Sequence, residues 1–147
     1  MPFQVSSDLS ASPAHVAQIR DGLAAFNAQA TGRPAERIPV VILARDAIGT
    51  VVGGCLGFRR WGVMQVDFLW VAEAHRGQRI GSRLLRAAED EAIAAGCTVA
   101  TLDTFDFQAR PFYERLGYRV WGTLDELPNG RVGYYLRKAL RSKVSSA

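Results

Sequence analysis

The chain has 147 residues, 48% of them hydrophobic and 22% charged, with a mean hydropathy of zero. That is the length and composition of one average globular domain, and it excludes collagen-like, largely disordered and integral membrane classes. The net charge of +4 invites a nucleic-acid reading, but the charge is local: Arg76, Arg79, Arg83 and Arg86 recur every three to four residues, and Glu89, Asp90 and Glu91 follow, so a helix there would attract phosphate at its start.

No window approaches the roughly 18 consecutive apolar residues of a spanning helix, and Met1 to Leu9 lacks the basic start and apolar run of a secretory signal. A cytoplasmic chain with no membrane partner is expected. Cys55 and Cys97 sit in apolar runs without a second pair or a histidine couple, which indicates buried reduced thiols rather than a disulfide or a metal site. One domain is expected over 1–147, its core running from about 3 to 140, with loose ends at Met1 to Ser7 and a short flexible tail at 142–147.

In chain order, Ser12-Pro13 caps and opens a helix on which Val16, Ile19, Leu23 and Phe26 share a stripe, and Gly32 stops it, which predicts an amphipathic helix over 13–30. Ile38 to Ala44 and Thr50 to Phe58 read as a hairpin turning at Arg45 to Gly49, with Gly53-Gly54 marking a bulge or a close backbone approach. Gly62 turns the chain into a third strand, Val63 to Val71, whose alternation predicts Met64, Val66, Phe68 and Trp70 on one face and Gln65, Asp67 and Leu69 on the other. Helical spacing over 78–95 puts Ile80, Leu84, Leu85, Ala88 and Ala92 on one stripe before Gly96, and Cys97 to Leu102 follows as a short strand. Strand, helix, strand over this span is a βαβ unit with parallel strands. A short helix at Arg110 to Leu116 ends at Gly117, and 118–124 with 131–137 close the domain as a hairpin around Leu127-Pro128-Asn129-Gly130. The sum is a mixed α/β (α+β) layer with antiparallel flanks.

The segment Val71 to Ser82 carries the chemistry. A turn that leaves a central strand and enters a helix offers unpaired backbone amides, the positive end of the helix dipole, two glycines for close approach and a rim of arginines, which together suit a pyrophosphate; solvated arginines at a helix start are the bland alternative. The Gly-Lys-Ser/Thr of a nucleotide loop and the Gly-x-Gly-x-x-Gly of a dinucleotide fold are both absent.

Leu69-x-Val71 followed by Arg76-x-x-x-x-Gly81 resembles the acyl-CoA signature of the GNAT superfamily of N-acetyltransferases, Arg/Gln-x-x-Gly-x-Gly/Ala. Downstream, Ala109 to Tyr118 (ARPFYERLGY) resembles the family's second motif, Ala-x-x-x-Tyr-Glu-Lys-x-Gly-Phe. The resemblance covers residues 50 to 140. It implies a GNAT-like domain with a central mixed, mostly antiparallel sheet of six to seven strands, flanked by helices and splayed at the acyl-CoA site. It implies acetyl-CoA as cofactor, held by Leu69, Trp70 and Val71 of the strand, by Arg76, Gly77, Gln78, Arg79, Ile80, Gly81 and Ser82 of the turn, and by Asp106 and Tyr113. Two positions depart from the pattern. Arg79 replaces the first motif glycine, and its amide still serves if its φ is helical. Asp106 replaces an asparagine and either caps the short helix or faces substrate.

The chemistry this implies is acetyl transfer to a primary amine: a neutral amine attacks the thioester, the oxyanion is held, and the leaving thiolate is protonated. Tyr113 matches the family tyrosine near the sulfur, with an ordinary phenol pKa near 10 close to that of a thiol; core packing is its alternative role. Asp67, on the strand that carries the thioester, is the first candidate base, with an ion pair to an arginine as its alternative role, and Asp103 and Asp106 come next. Asp67, Asp103, Trp121 and Asp125, with Glu126, favour a small cationic amine as acceptor. His15 and His75 are expected to be exposed or structural. A non-catalytic acyl-CoA sensor, a protein or peptide amine acetyltransferase and a nucleic-acid-binding module are the competing readings, and an open sheet edge leaves room for a homodimer.

Overall fold

The computed structural model describes residues 2–141; the expected tail at 142–147 lies outside them. The chain forms two compact units, Met1–Glu36 and Arg37–Ala147.

The first unit holds helix α1, Pro13–Thr31. Ser12 Oγ accepts the amide of His15 at 3.3 Å, Pro13 opens the first turn, and Gly32 at φ 67° ends the helix by donating to the Ala28 carbonyl at 2.8 Å. Each end is thus closed by the residue type the geometry demands.

The second unit is built on a six-stranded sheet in the order β1-β2-β3-β4-β6-β5. Its elements are β1 (Ile38–Arg45), β2 (Val51–Arg60), β3 (Val63–Val71), α2 (Ile80–Ala94), β4 (Val99–Phe105), α3 (Arg110–Arg115), β5 (Arg119–Leu124) and β6 (Gly133–Ala139). Every neighbouring pair is antiparallel except β3 with β4. Trp61 and Gly62, at φ 53° and 78°, make the tight β2–β3 turn, in which both central residues need positive φ. β4 begins two residues later than expected and reaches Phe105, because the Cys97 amide still belongs to the end of α2, bonded to the Ala92 carbonyl at 2.9 Å. The core packs α2 against β1, β2 and β3. Val40, Cys55, Met64, Leu85 and Leu136 are its largest fully buried side chains, each worth about 2 kcal/mol of burial for the larger apolar ones.

One expectation fails in β3. Met64 and Val66 are buried, but Phe68 and Trp70 are 68% and 54% exposed, while Leu69 and Val71 pack against the core. The register explains it: Leu56 pairs with Phe68 and Gly57 with Val66, so Asp67 is an extra residue in a bulge that inverts the faces beyond it. The glycine pair upstream is a site of close approach instead of the bulge itself. A Cβ on Gly53 would lie 2.9 Å from the Trp70 carbonyl oxygen, and one on Gly57, at the bulge, 2.0 Å from that of Gln65.

β3 and β4 pair only through Val63↔Val99, Met64↔Ala100 and Gln65↔Thr101, then diverge. The Thr101 hydroxyl donates to Gln65 Oε1 at the last rung. This fork, expected from the family resemblance, leaves the backbone of β3 from Val66 to Val71 without a strand on that side, and its polar groups need other partners.

Candidate active site

β3 ends at Val71, a single 3-10 turn at Glu73–His75 follows, and the chain reverses through Gly77 at φ 81° and Arg79 at φ 61° into α2. Arg76 Nε donates to the Val71 carbonyl at 3.2 Å, and Ser82 Oγ to that of Arg79 at 3.0 Å. No side chain caps α2, so its leading amides stay available to an anion.

Arg79 is left-handed, at φ 61°, and not helical, the condition expected for its amide to serve. The change in handedness from Arg79 to Ile80 still turns successive amides toward one point, the nest geometry that binds anions. A left-handed non-glycine residue costs about 1 kcal/mol or more, which is why glycine is the usual occupant of such a position. Arg79→Gly is therefore expected to raise stability by about 0.5–1 kcal/mol, read as a higher urea midpoint; a fall would mean that the guanidinium holds the turn.

The turn opens on a cavity of about 560 Å³, lined by Val71, His75, Arg76, Gly77, Arg79, Ile80, Gly81, Ser82 and Arg86 together with Phe112, Arg115 and Leu116 of the α3 segment. Gly81 lies where the two helices meet, and a Cβ there would make ordinary contact with Phe112 Cζ at 3.4 Å and Val71 Cγ2 at 3.8 Å. Four arginines and a helix N-terminus surround an apolar floor, a combination suited to a ligand with phosphates at one end and an apolar or ring group beside them.

Tyr113, on α3, is only 9% exposed. Its ring meets Phe112 and Tyr118 edge-on, at 5.1 and 6.0 Å between centroids. Burial first, then the neighbouring Cys55 and Asp103, push its hydroxyl up to about 12, above the ordinary phenol value near 10. Those neighbours lie on β2 and β4, the strands on either side of β3. At any physiological pH the phenol is protonated, a donor and not a base.

The carboxylates follow the fork. Gln65 and Thr101 share one face through their side-chain hydrogen bond, and Asp67 and Asp103 stand two residues further along the two diverging arms, both exposed. Asp103 pairs in register with Tyr135, whose ring lies 6.1 Å from that of Trp121. Trp121 is the extra residue of a second bulge, between Val120 and Gly122 of β5. Asp125 and Glu126 are exposed just beyond that strand.

Residues 7–118 match the model of the acetyltransferase (GNAT) family. The chain belongs to the GNAT acetyltransferase family. It is an acyltransferase, 38% identical over 134 residues to an acetyltransferase of Agrobacterium fabrum, a match covering 91% of this chain and 96% of that one. It is 40% identical over 93 residues to the blasticidin-S acetyltransferase of Streptomyces morookaense, covering 63% and 68% of the two chains. The crystal structure of an acetyltransferase from Agrobacterium tumefaciens matches the fold with a TM-score of 0.82 at 35% identity, over 95% of this chain and 99% of that one.

In this GNAT acetyltransferase, seven of the residues nominated from sequence for the cofactor line one cavity: Val71, Arg76, Gly77, Arg79, Ile80, Gly81 and Ser82. Gln78 lies in the turn without lining it, Leu69 packs on the core, and the Trp70 side chain points outward. Asp106 does not cap α3. Its carboxylate lies 3.7 Å from Arg131, and the position before α3, Ala109, has no side-chain cap; instead Gln108 Oε1 accepts from Thr104 Oγ1 and the Phe105 amide. Sequence reasoning missed Phe112, Arg115 and Leu116, whose spacing of three and four residues was the available sign of a shared face; His75, expected to be exposed or structural, also lines the cavity. Among the described residues no helix is long and apolar enough to cross a membrane.

Proposed function

We propose that this enzyme transfers the acetyl group of acetyl-CoA directly to the primary amine of a small cationic acceptor, in a ternary complex. Acetyl-CoA is the acyl donor of this chemistry. Its pyrophosphate fits the amides of Ile80, Gly81 and Ser82, with the guanidinium groups of Arg76, Arg79, Arg86 and Arg115 around it. Its pantetheine arm fits the open edge of β3, where Leu69 offers its amide and carbonyl and Val71 its amide to the side that β4 leaves, while the Trp70 backbone faces β2 and its side chain borders the arm. An amide of that edge polarises the thioester carbonyl.

The amine nitrogen bonds to the thioester carbon, giving a tetrahedral oxyanion. Collapse breaks the C–S bond, the nitrogen gives up its proton to Asp67 through an ordered water, and the thiolate takes a proton from Tyr113, leaving an amide and free CoA. A phenol held near 12 gives its proton to an ordinary thiolate reluctantly; a thiolate formed in the same water-poor site is destabilised as the phenolate would be, which restores the balance.

The observation that carries the acceptor class is the pair Asp67 and Asp103 on the two arms of the fork, beside the Trp121–Tyr135 surface: two carboxylates and aromatic faces favour a cation. Asp125 is exposed just beyond β5, while the Asp106 carboxylate is taken by Arg131. The relative named for blasticidin-S supports a small molecule over a protein acceptor. The buried thiols of Cys55 and Cys97 suit a reducing cytoplasm, and β1 and β5, the end strands of the sheet, are where a homodimer would form.

The test is release of CoA thiol from acetyl-CoA across diamines, cationic antibiotics, amino acids and lysine peptides. Small cationic amines are expected to give the highest kcat/KM, with Asp103→Asn lowering it on the order of tenfold for a diamine and little for a monoamine. Turnover on peptides alone, or tight CoA binding with no turnover on any amine, would overturn the reading.

A further inference from the structure

Glu89 belongs to an acidic run that resembles a solvated helix face, yet it is only 6% exposed, on the side of α2 that carries Leu85, Ala88 and Ala92. A buried carboxylate is costly unless both oxygens are satisfied. Here they are: Oε2 accepts from the Tyr118 hydroxyl at 2.8 Å and Oε1 from Lys138 Nζ at 2.8 Å. Tyr118, 3% exposed, in turn holds Tyr113 twice. Its amide donates to the Tyr113 carbonyl at 3.1 Å, and its ring meets the Tyr113 ring edge-on. Gly117, at φ 97°, makes this crossing possible, since a Cβ there would lie 3.3 Å from Lys138 Cε.

An apolar core would be filled as well by Phe at 118 and by Leu or Met at 89, so packing explains neither the hydroxyl nor the charge. What the chain of contacts does is tie α2, whose first turn faces the phosphate cavity, to the residue that carries the acid. That tie matters because α3 has only six residues, too few to hold its own geometry, while proton transfer tolerates displacement of well under an ångström.

We propose that Glu89 and Tyr118 are positioning residues for Tyr113, with Lys138 holding the other oxygen of Glu89 in place, so that the hydroxyl stays aimed at the reacting sulfur while the helix of the phosphate turn serves as the fixed reference. The proposal rests on the reading of Tyr113 as the proton donor.

The experiment is a double-mutant cycle on single-turnover acetyl transfer. Tyr118→Phe keeps the ring and is expected to lower the transfer rate on the order of tenfold, with the KM for acetyl-CoA and the stabilisation by CoA unchanged. In the Tyr113→Phe background the same change should cost less than about twofold, because there is no longer a donor to aim. Glu89→Gln, which keeps the side chain's shape, runs the same cycle and takes over if Tyr118→Phe fails to fold. General structural damage predicts the same factor in both backgrounds, and that result, or a parental rate in Tyr118→Phe, overturns the positioning role. If Tyr113→Phe alone keeps the parental rate, the donor assignment falls and takes this proposal with it. A slow Tyr113→Phe with an additive Tyr118→Phe removes the positioning role alone.

Discussion

Tyr113→Phe is expected to lower kcat by about 10²- to 10⁴-fold, the usual range of a general acid's contribution, while the affinity for acetyl-CoA changes little. The ring volume is kept, so the fold is kept; Tyr113 sits in the core cluster with Cys55 and Met64, and losing its hydroxyl alone removes little packing. The pH dependence carries a second check. The phenol is raised to about 12 from an ordinary value near 10, so the protonated, donating form persists across the assay range and the stability it contributes is lost only as pH rises from about 10 toward 12. The parent's rate should therefore climb as the amine acceptor deprotonates and then stay level to about pH 10–11. A descending limb centred near pH 9 in the parent that disappears in Tyr113→Phe would mean a donor of far lower pKa than burial gives this one. Turnover within a few-fold of the parent would reduce Tyr113 to packing and return the proton to water or to Asp106.

Gly81→Glu is expected to abolish the rise in melting temperature that CoA or acetyl-CoA produces. A ligand at one hundred times its Kd stabilises by about 2.7 kcal/mol, a shift of several degrees for a domain of this size. The variant removes it by placing a carboxylate where the phosphates belong. Gly81 is not at a positive φ, and a methyl group there makes ordinary contact with Phe112, so Gly81→Ala should keep most of the shift and separate the effect of the added charge from that of the added carbon. An undiminished shift in Gly81→Glu would remove the turn from the cofactor site.

What the sequence made legible was local. Ser12-Pro13 and Gly32 bracket α1, the step from Val71 through the arginines marks the phosphate turn, and the βαβ order needs only periodicity and length. Two features the sequence did not carry share a cause, which is dependence on a partner far along the chain. The faces of β3 invert at Asp67 because β2 contributes one residue fewer at Leu56–Gly57, and alternation within 63–71 carries no trace of that. Glu89 sits in the run Glu89-Asp90-Glu91, and only Tyr118 and Lys138, brought in by α3, β5 and β6, make its burial tolerable. The handedness of Arg79 was hidden for a different reason: an arginine stands where a glycine would have announced it.

The fork between β3 and β4 has a consequence for cohesion. Three rungs join those strands, against seven between β4 and β6, so the sheet is two half-sheets stapled at one end. In the proposed complex the amide-bearing arm of the donor runs along the open length of β3 and supplies the rungs that β4 withholds. The donor then serves as a temporary strand as well as a reactant, and each turnover that releases CoA also reopens the seam along which the two halves of the sheet are most easily parted.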